Sequence, residues 1–380
     1  MESPLNEIKV LDMTRFLAGP FCTMILNDLG AEVIKIERPE VGDGARQFGP
    51  YVNDRSAYFN SLNYGKKSVA LDLKDEDDVE KFKRLVEIAD VLVENFRPGT
   101  MDRLGLGYQR LKEINPELIY SAISGFGQEG PFSDKPSYDM IVQAHGGIMS
   151  VTGEEGGKPV RVGVSIGDIM AGVYSTIGIM TALFQRTTTG EGQKLDISML
   201  DCQAAIMENP IVRYMATGDV PGPVGSRHPS ITPYQAFPTS DDWIVVAVAN
   251  NKFWKNFCEV LGLEGLIDDN RFNTNPKRCE NYEELNEILS EEIKKHKTDE
   301  LLEKLEDNDV PCTPVNDVKD LTENPQLDFR NMLRDMAGDL MGDFMVTGNP
   351  IKMKAAEEPE EVEPAPDIGE HNEEIFQKYL

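Results

Sequence analysis

The feature that most constrains this chain is a regular alternation of short apolar runs and helical segments through its first half. IKVLDM (8–13), AEVIKIE (31–37), SVALDL (68–73), DVLVENF (90–96), LIYSAIS (118–124) and QKLDIS (193–198) read as strands. A helix from Pro20 to Leu29 stops at Gly30, and another runs from about Asp75 to Ala89, with Asp75 as N-cap ahead of an acidic first turn. Further helices are expected over Asp168–Arg186 and roughly Leu200–Thr217. Strands that alternate with helices require right-handed crossovers, so the predicted class is α/β, with a doubly wound, mostly parallel sheet in a large domain over 1–217. Near Gly218 the texture changes. GDVPGPVGSRHPSITP supplies a linker (218–232). YQAFPTSDDWIVVAVA then reads as a hairpin turning at Ser240–Asp242, and polar helices follow to about Glu306. These form a smaller α+β domain over 233–309. A second linker is expected over 310–331, and 332–380 as a segment returning to the large domain. Within it, the acidic, Pro-rich stretch Ala355–Pro366 reads as extended surface chain.

Charge narrows the function. The chain has 38 Lys+Arg against 66 Asp+Glu, a net −28, a field that repels nucleic acid and anionic lipid and argues against both as partners. An anionic ligand therefore needs a local basic pocket. A saline habitat is one reading of the acidity, although Lys is still plentiful. The five cysteines are scattered without a C-x-x-C pair, as in reduced cytoplasmic proteins. His145, His228, His296 and His371 never fall at metal-ligand spacing, so no metal site is expected. The acidic N-terminus lacks the apolar run of a signal peptide. The longest apolar stretch, Ile169–Phe184, contains two glycines and is shorter than the ~20 residues of a membrane span. A buried core helix is expected there.

Three places could carry chemistry. The first β–α turn holds Arg15–Pro20 in place of a G-x-G-x-x-G loop; Gly19 permits close approach and Pro20 leaves the helix N-terminus open. At the end of the second strand Glu37 is followed by Arg38, whose guanidinium suits a phosphate or an adenine face, though an ordinary surface arginine fits as well. Glu94–Gly105 gathers Asn95, Arg97, a Pro-Gly turn and Arg103 at the carboxyl edge of the sheet, where α/β folds bind ligands. Asp168 precedes the apolar helix. It could simply cap that helix, or serve as a carboxylate nucleophile whose anion the helix N-terminus favours.

Together these elements resemble the class III CoA-transferase family, the CaiB/BaiF type. The matching pieces are Val10–Met13 with Ala18–Pro20, Gly30–Pro39, Val91–Gly99, Ser124–Gln128, Gly167–Asp168 and Thr189–Gln193, which cover the chain from about residue 5 to about 335. The resemblance implies a Rossmann-like large domain built from both chain ends, a small domain between two linkers, and two subunits interlocked as a homodimer. It implies that Asp168 attacks an acyl-CoA thioester to give a mixed anhydride and then an aspartyl-CoA thioester, from which an acceptor acid takes the CoA. It places Arg38 against the CoA adenine, Asn95, Phe96 and Arg103 along the CoA channel, Ala18, Leu71 and Leu73 beside it, and Lys135 on a CoA phosphate. Leu17, Tyr138 and Asp139 fall in the substrate pocket. Coenzyme A enters as a thioester substrate, with no permanently bound cofactor.

Departures bear on the substrate. Formyl-CoA:oxalate transferases carry Gln where Leu17 stands and a glycine-rich loop near Ala249–Lys252; neither is present, so oxalate is not expected. The related α-methylacyl-CoA racemases use a histidine where this chain has Tyr138, a poor base at neutral pH with an ordinary pKa of about 10. A CoA-transferase is therefore the leading reading. A racemase or epimerase, and a non-catalytic acyl-CoA-binding protein in which Asp168 only caps, are the alternatives.

Overall fold

A computed structural model describes residues 3–354 and 358–380. Its contacts divide the chain into two units, one made of the residues up to Ile148 with Arg161–Thr217 and Pro325–Leu380, the other of Met149–Val160 and Gly218–Asn324.

In the larger unit six strands form one sheet: β1 (Lys9–Asp12), β2 (Glu32–Glu37), β3 (Lys67–Ala70), β4 (Val91–Glu94), β5 (Ile119–Ser124) and β6 (Lys194–Ser198). Every neighbouring pair is parallel, in the order β3-β2-β1-β4-β5-β6. The order reverses between β1 and β4, the topological switch point at which open α/β sheets leave a crevice for ligands. The helices that matter here are α1 (Ala18–Asp28), α2 (Glu76–Ile88), α3 (Asp139–His145), α4 (Ile166–Thr189), α5 (Met199–Ile206) and α6 (Glu208–Thr217).

The strands are apolar almost throughout because both faces are covered. Successive residues point to opposite sides. Val10, Val33, Val91, Val93 and Ile119 pack with α1 and α4, whereas Leu11, Ile34, Leu92 and Tyr120 pack with Phe82, Leu85 and Val86 of α2 and with Ile375 near the chain end. Each such side chain removed from water contributes about 1.5–3 kcal/mol. The C-terminal helix Asn372–Tyr379 is tied to β3, since the Asn372 Oδ1 accepts the Ala70 N–H at 2.8 Å.

Helix α4 spans 24 residues, longer than its apolar core suggests and long enough to cross a membrane by length and composition. Ala171, Ser175, Ile179 and Ala182 are nevertheless buried in the protein core. A Cβ on Gly172 would lie 2.8 Å from the Ala18 carbonyl oxygen and 3.1 Å from the Phe21 ring, so the glycine lets α1 and α4 touch. The single helix expected over Leu200–Thr217 is two, α5 and α6, broken at Met207. Pro210 has no N–H to offer the Ile206 carbonyl, so the ladder fails there.

The smaller unit has a three-stranded antiparallel sheet of β7 (Tyr234–Pro238), β8 (Trp243–Ala247) and β9 (Cys312–Pro314). Helices Asn251–Leu261, Tyr282–Ile293 and Thr298–Asp307 cover it, with Trp254, Phe257, Leu289 and Leu301 in the core. Two sequence expectations are corrected. The stretch 310–331 is not a plain linker: Cys312–Pro314 is the third strand, with Val246 opposite Cys312, and Asp317 opens a short helix with a reciprocal capping box to Asp320. Pro311 and Pro314 had the look of a connector, but an edge strand tolerates proline. Residues 149–160, read as part of the large domain, group with the smaller unit.

The acidic tail is corrected as well, apart from 355–357, which lie outside the described residues. Glu361–Val362 pairs with Asp335–Met336, and Val362 and Ala365 are buried. These two apolar residues anchor a segment whose composition is otherwise that of solvated chain.

Candidate active site

The site grows from the turn between β1 and α1. Asp12, at the end of β1, is fully buried; its Oδ1 accepts the Thr14 N–H (2.8 Å) and hydroxyl (2.5 Å), and its Oδ2 accepts from Thr23 (2.7 Å) and Lys66 (3.0 Å). Lys35, a cation inside the apolar strand β2, donates to the Thr14 carbonyl at 2.9 Å and pairs with Asp43 at 3.0 Å. Burial alone would raise the Asp12 pKa, but Lys35 and Lys66 hold it far below the usual carboxylate range. Burial pushes Lys66 down to about 8. Asp43 in turn accepts the N–H groups of Phe16 (3.2 Å) and Ala45 (2.9 Å). This fixes Phe16 in a left-handed backbone conformation, φ +64°, unusual for a bulky residue. Gly44 makes room for its ring, which a Cβ there would meet at 2.8 Å. Removing one member of a buried charge network of this kind costs about 3–5 kcal/mol.

Above the turn lies a cavity of about 250 Å³ at the switch point. Arg15, Arg38, Leu71, Leu73, Lys74 and Phe96 are in its wall. Arg38 is exposed, and neither it nor Lys74 forms an ion pair among the described residues. Glu37, placed where a dinucleotide fold would bind a ribose, is occupied within the protein: Arg46 grips both its oxygens at 2.9 and 2.6 Å, and Ser68 donates to it at 2.8 Å.

Asn95 is not in the cavity wall. Its Oδ1 accepts the Arg15 N–H and its Nδ2 donates to the Arg15 carbonyl, both at 2.8 Å, so it clamps the turn. Phe96 does line the cavity, with its N–H held by the buried Glu94 at 2.7 Å. Burial pushes the Glu94 carboxyl up to about 7. Arg103 is not in the wall either; it donates at 2.8 Å to Thr100, which is. Lys135 is elsewhere: its ammonium sits 4.0 Å from the Phe132 ring centre, within an aromatic group with Phe126 and His145.

Asp168 is the third residue of α4, one turn before Gly172 and on the same helix face. Gly172 touches Ala18 at the start of α1, where Leu17 is half-buried and provides no side-chain cap. Asp168 itself does not cap. Ser165 occupies that position without a side-chain bond, and Asp139, buried at the start of α3, accepts the Gly167 N–H at 2.9 Å. The other Asp139 oxygen accepts from Gln143 at 2.8 Å, and Gln143 accepts the Val162 N–H at 2.9 Å. The loop leading to Asp168 is thus pinned from α3. The Asp168 carboxylate has no hydrogen-bond partner among the described residues. Burial first, and then the charge of Asp139, push its pKa up to about 7, against the pull of the helix N-terminus toward the anion. The half-buried Tyr58 lies within reach of its charge: burial, then Asp168 and Asp43, raise that hydroxyl to about 12.

Of the residues the sequence pointed to, Arg38, Leu71, Leu73 and Phe96 line this cavity, Ala18 opens α1 against Gly172, Asp168 lies one turn before that glycine outside the cavity wall, and Asp139 holds the Gly167 N–H. Tyr138 is 75% exposed. Arg15, Lys74, Asp43, Tyr58 and Gln143 were missed. The lysine inside β2 was the available signal for the charge network, since a cation in an apolar strand needs buried partners.

The comparisons with known proteins fit this geometry. A family model described as CoA-transferase family III matches residues 5–372. The chain belongs to that family. This CoA-transferase is 42% identical to the acetyl-CoA:oxalate CoA-transferase of Acetobacter aceti, over 97% of this chain and 94% of that one. It is 40% identical to the human succinyl-CoA:glutarate CoA-transferase, over 99% and 86%. A crystal structure of a CaiB/BaiF family protein from Brucella suis matches over 100% of both chains, with 38% identity and a TM-score of 0.90. The chain is an enzyme of class III, working on acyl-CoA and carboxylic acid substrates.

Proposed function

We propose that this enzyme moves CoA between dicarboxylic acids through covalent intermediates on Asp168. The observation that carries the reading is a carboxylate in the first turn of α4 that makes no hydrogen bond among the described residues and has a pKa pushed up to about 7, on a helix whose Gly172 packs against the start of α1, next to the turn whose cavity is lined by cations. A carboxylate of raised pKa is a stronger nucleophile than an ordinary one, yet it remains substantially ionised at neutral pH. One Asp168 oxygen attacks the thioester carbonyl; a C–O bond forms, the C–S bond breaks, and CoA leaves as thiolate. The thiolate then attacks the aspartyl carbon of the anhydride, releasing the donor acid and leaving an aspartyl-CoA thioester. The acceptor carboxylate displaces the thiolate to form a second anhydride. Attack of the thiolate on the acceptor's acyl carbon releases the new acyl-CoA and regenerates the Asp168 carboxylate.

The dicarboxylic class is supported by relatives named for oxalate, glutarate, mesaconate and D-citramalate. Because a relative 42% identical is named for oxalate, oxalate is kept among the proposed acceptors despite Leu17 and the Ala249–Lys252 loop. Tyr138, 75% exposed, gives a racemase no second buried acid–base group at that position.

The test is a mass-spectrometric screen of succinyl-CoA and acetyl-CoA against C2–C6 mono- and dicarboxylic acids. New CoA esters of dicarboxylic acids are expected. Esters of monocarboxylic acids alone would contradict the substrate class, and α-deuterium exchange without transfer would mark a racemase.

A further inference from the structure

Asn95, expected to meet the ligand, instead holds the backbone of Arg15 by both its N–H and its carbonyl. What this clamp delivers to the cavity is the Arg15 side chain. Its guanidinium carbon lies 5.1 Å from the centre of the Phe96 ring, a cation–π contact that uses the planar face and leaves the edge N–H groups free. None of those donors meets a protein acceptor or forms an ion pair among the described residues. Asp43, the carboxylate whose charge acts on Arg15, is already committed to Lys35 at 3.0 Å and to the N–H groups of Phe16 and Ala45. Burial pushes the Arg15 pKa below its ordinary value; Asp43 opposes this, and the like charge of Arg38 adds to it. A half-buried fork of donors, stacked flat, backbone-clamped and short of negative charge, is suited to a planar or tetrahedral oxyanion.

We infer that Arg15 binds an oxyanion of the acyl-CoA substrate. This rests on the CoA-transferase reading. Two groups on that substrate offer the chemistry: the phosphates of CoA and the free carboxylate of a dicarboxylyl chain. Arg15 is a binding residue on this account; it leaves the Asp168 chemistry intact.

The experiment compares wild type with Arg15→Gln, and with Arg15→Lys, which retains charge but loses the fork. Dissociation constants for CoA and for pantetheine, which lacks phosphates, are measured by calorimetry. kcat/KM is measured for succinyl-CoA and for butyryl-CoA, which lacks the free carboxylate. If the oxyanion is a phosphate, Arg15→Gln weakens CoA by about 10- to 100-fold and leaves pantetheine unchanged. If it is the carboxylate, CoA binding holds and the preference for succinyl-CoA over butyryl-CoA falls by a similar factor. Equal losses for CoA and pantetheine with an unchanged acyl preference, or no change in either comparison, would overturn the inference. Should Arg15→Gln fail to fold, the same comparisons on Arg15→Lys decide, with smaller factors. A wild type that binds CoA yet forms no new CoA ester would refute the transferase reading alone, because the binding comparison does not depend on turnover.

Discussion

Asp75 and Asp168 stand near the starts of two helices of the large unit, and the two are used in opposite ways. Asp75 sits at the N-cap of α2 in an extended backbone conformation; its Oδ1 accepts the N–H groups of Asp77 (3.0 Å) and Asp78 (3.2 Å), in the open. Asp168 sits inside the first turn of α4, half-buried, and bonds none of its own helix's N–H groups. The capping there is done from a different helix, by Asp139 on the Gly167 N–H. The comparison teaches that a carboxylate at a helix start is structural when its oxygens are used by its own backbone. It is available for chemistry when a neighbour takes over that duty. The cost of keeping Asp168 free appears as its raised pKa.

The comparison can be sharpened at Asp139. Asp139→Asn keeps the Oδ1 acceptor for Gly167 and removes a negative charge from beside Asp168. Burial still holds Asp168 above an ordinary aspartate, so the acid limb of kcat/KM should move down by about one pH unit, with turnover at pH 8 falling about 3- to 10-fold. An unmoved limb would show that Asp139 exerts no electrostatic hold. A smaller effect lies in stability. Asp168 has a folded-state pKa above its unfolded value, so its contribution is present below about pH 4 and lost as pH rises through about 7. Asp168→Asn should therefore melt higher than wild type above pH 7, by about 2 °C or more, with the gain vanishing near pH 4. Asp75→Ala should instead lose about 1 kcal/mol with unchanged kcat. Thermal melts of both variants across this range check the contrast, and a wild-type advantage at pH 8 over Asp168→Asn would break it.

Much of the architecture could be read from residues alone, because both-face burial writes itself as continuous apolar runs: β1, β2, β4 and β5 lie within the runs that announce them. Asp75 was legible for the same local reason, since a cap and its acceptors are adjacent in sequence. The strand Cys312–Pro314 was not, because three residues, one of them proline and with Pro311 before them, carry no periodicity, and their pairing with β8 is set from about 70 residues away. At the site, Arg38, Phe96 and Asp168 stood out as chemistry-bearing residues at strand ends or helix starts. The partners that give them meaning did not. Asn95 was legible as an amide near the ligand edge, but that it grips Arg15 is a contact across 80 residues. Asp139 behind Gly167 and Lys35 against Asp43 are likewise products of tertiary packing.

The central claim is that Asp168 is a covalent nucleophile, and trapping tests it most directly. Wild type incubated with acyl-CoA and then hydroxylamine or borohydride should carry one modified carboxyl, on the peptide containing Gly167-Asp168. Asp168→Asn, which retains the size and the polar oxygen but not the charge, should fold, carry no adduct and lose at least about 10³-fold in kcat. An adduct on another carboxylate, or near-wild-type turnover in Asp168→Asn, would contradict the account.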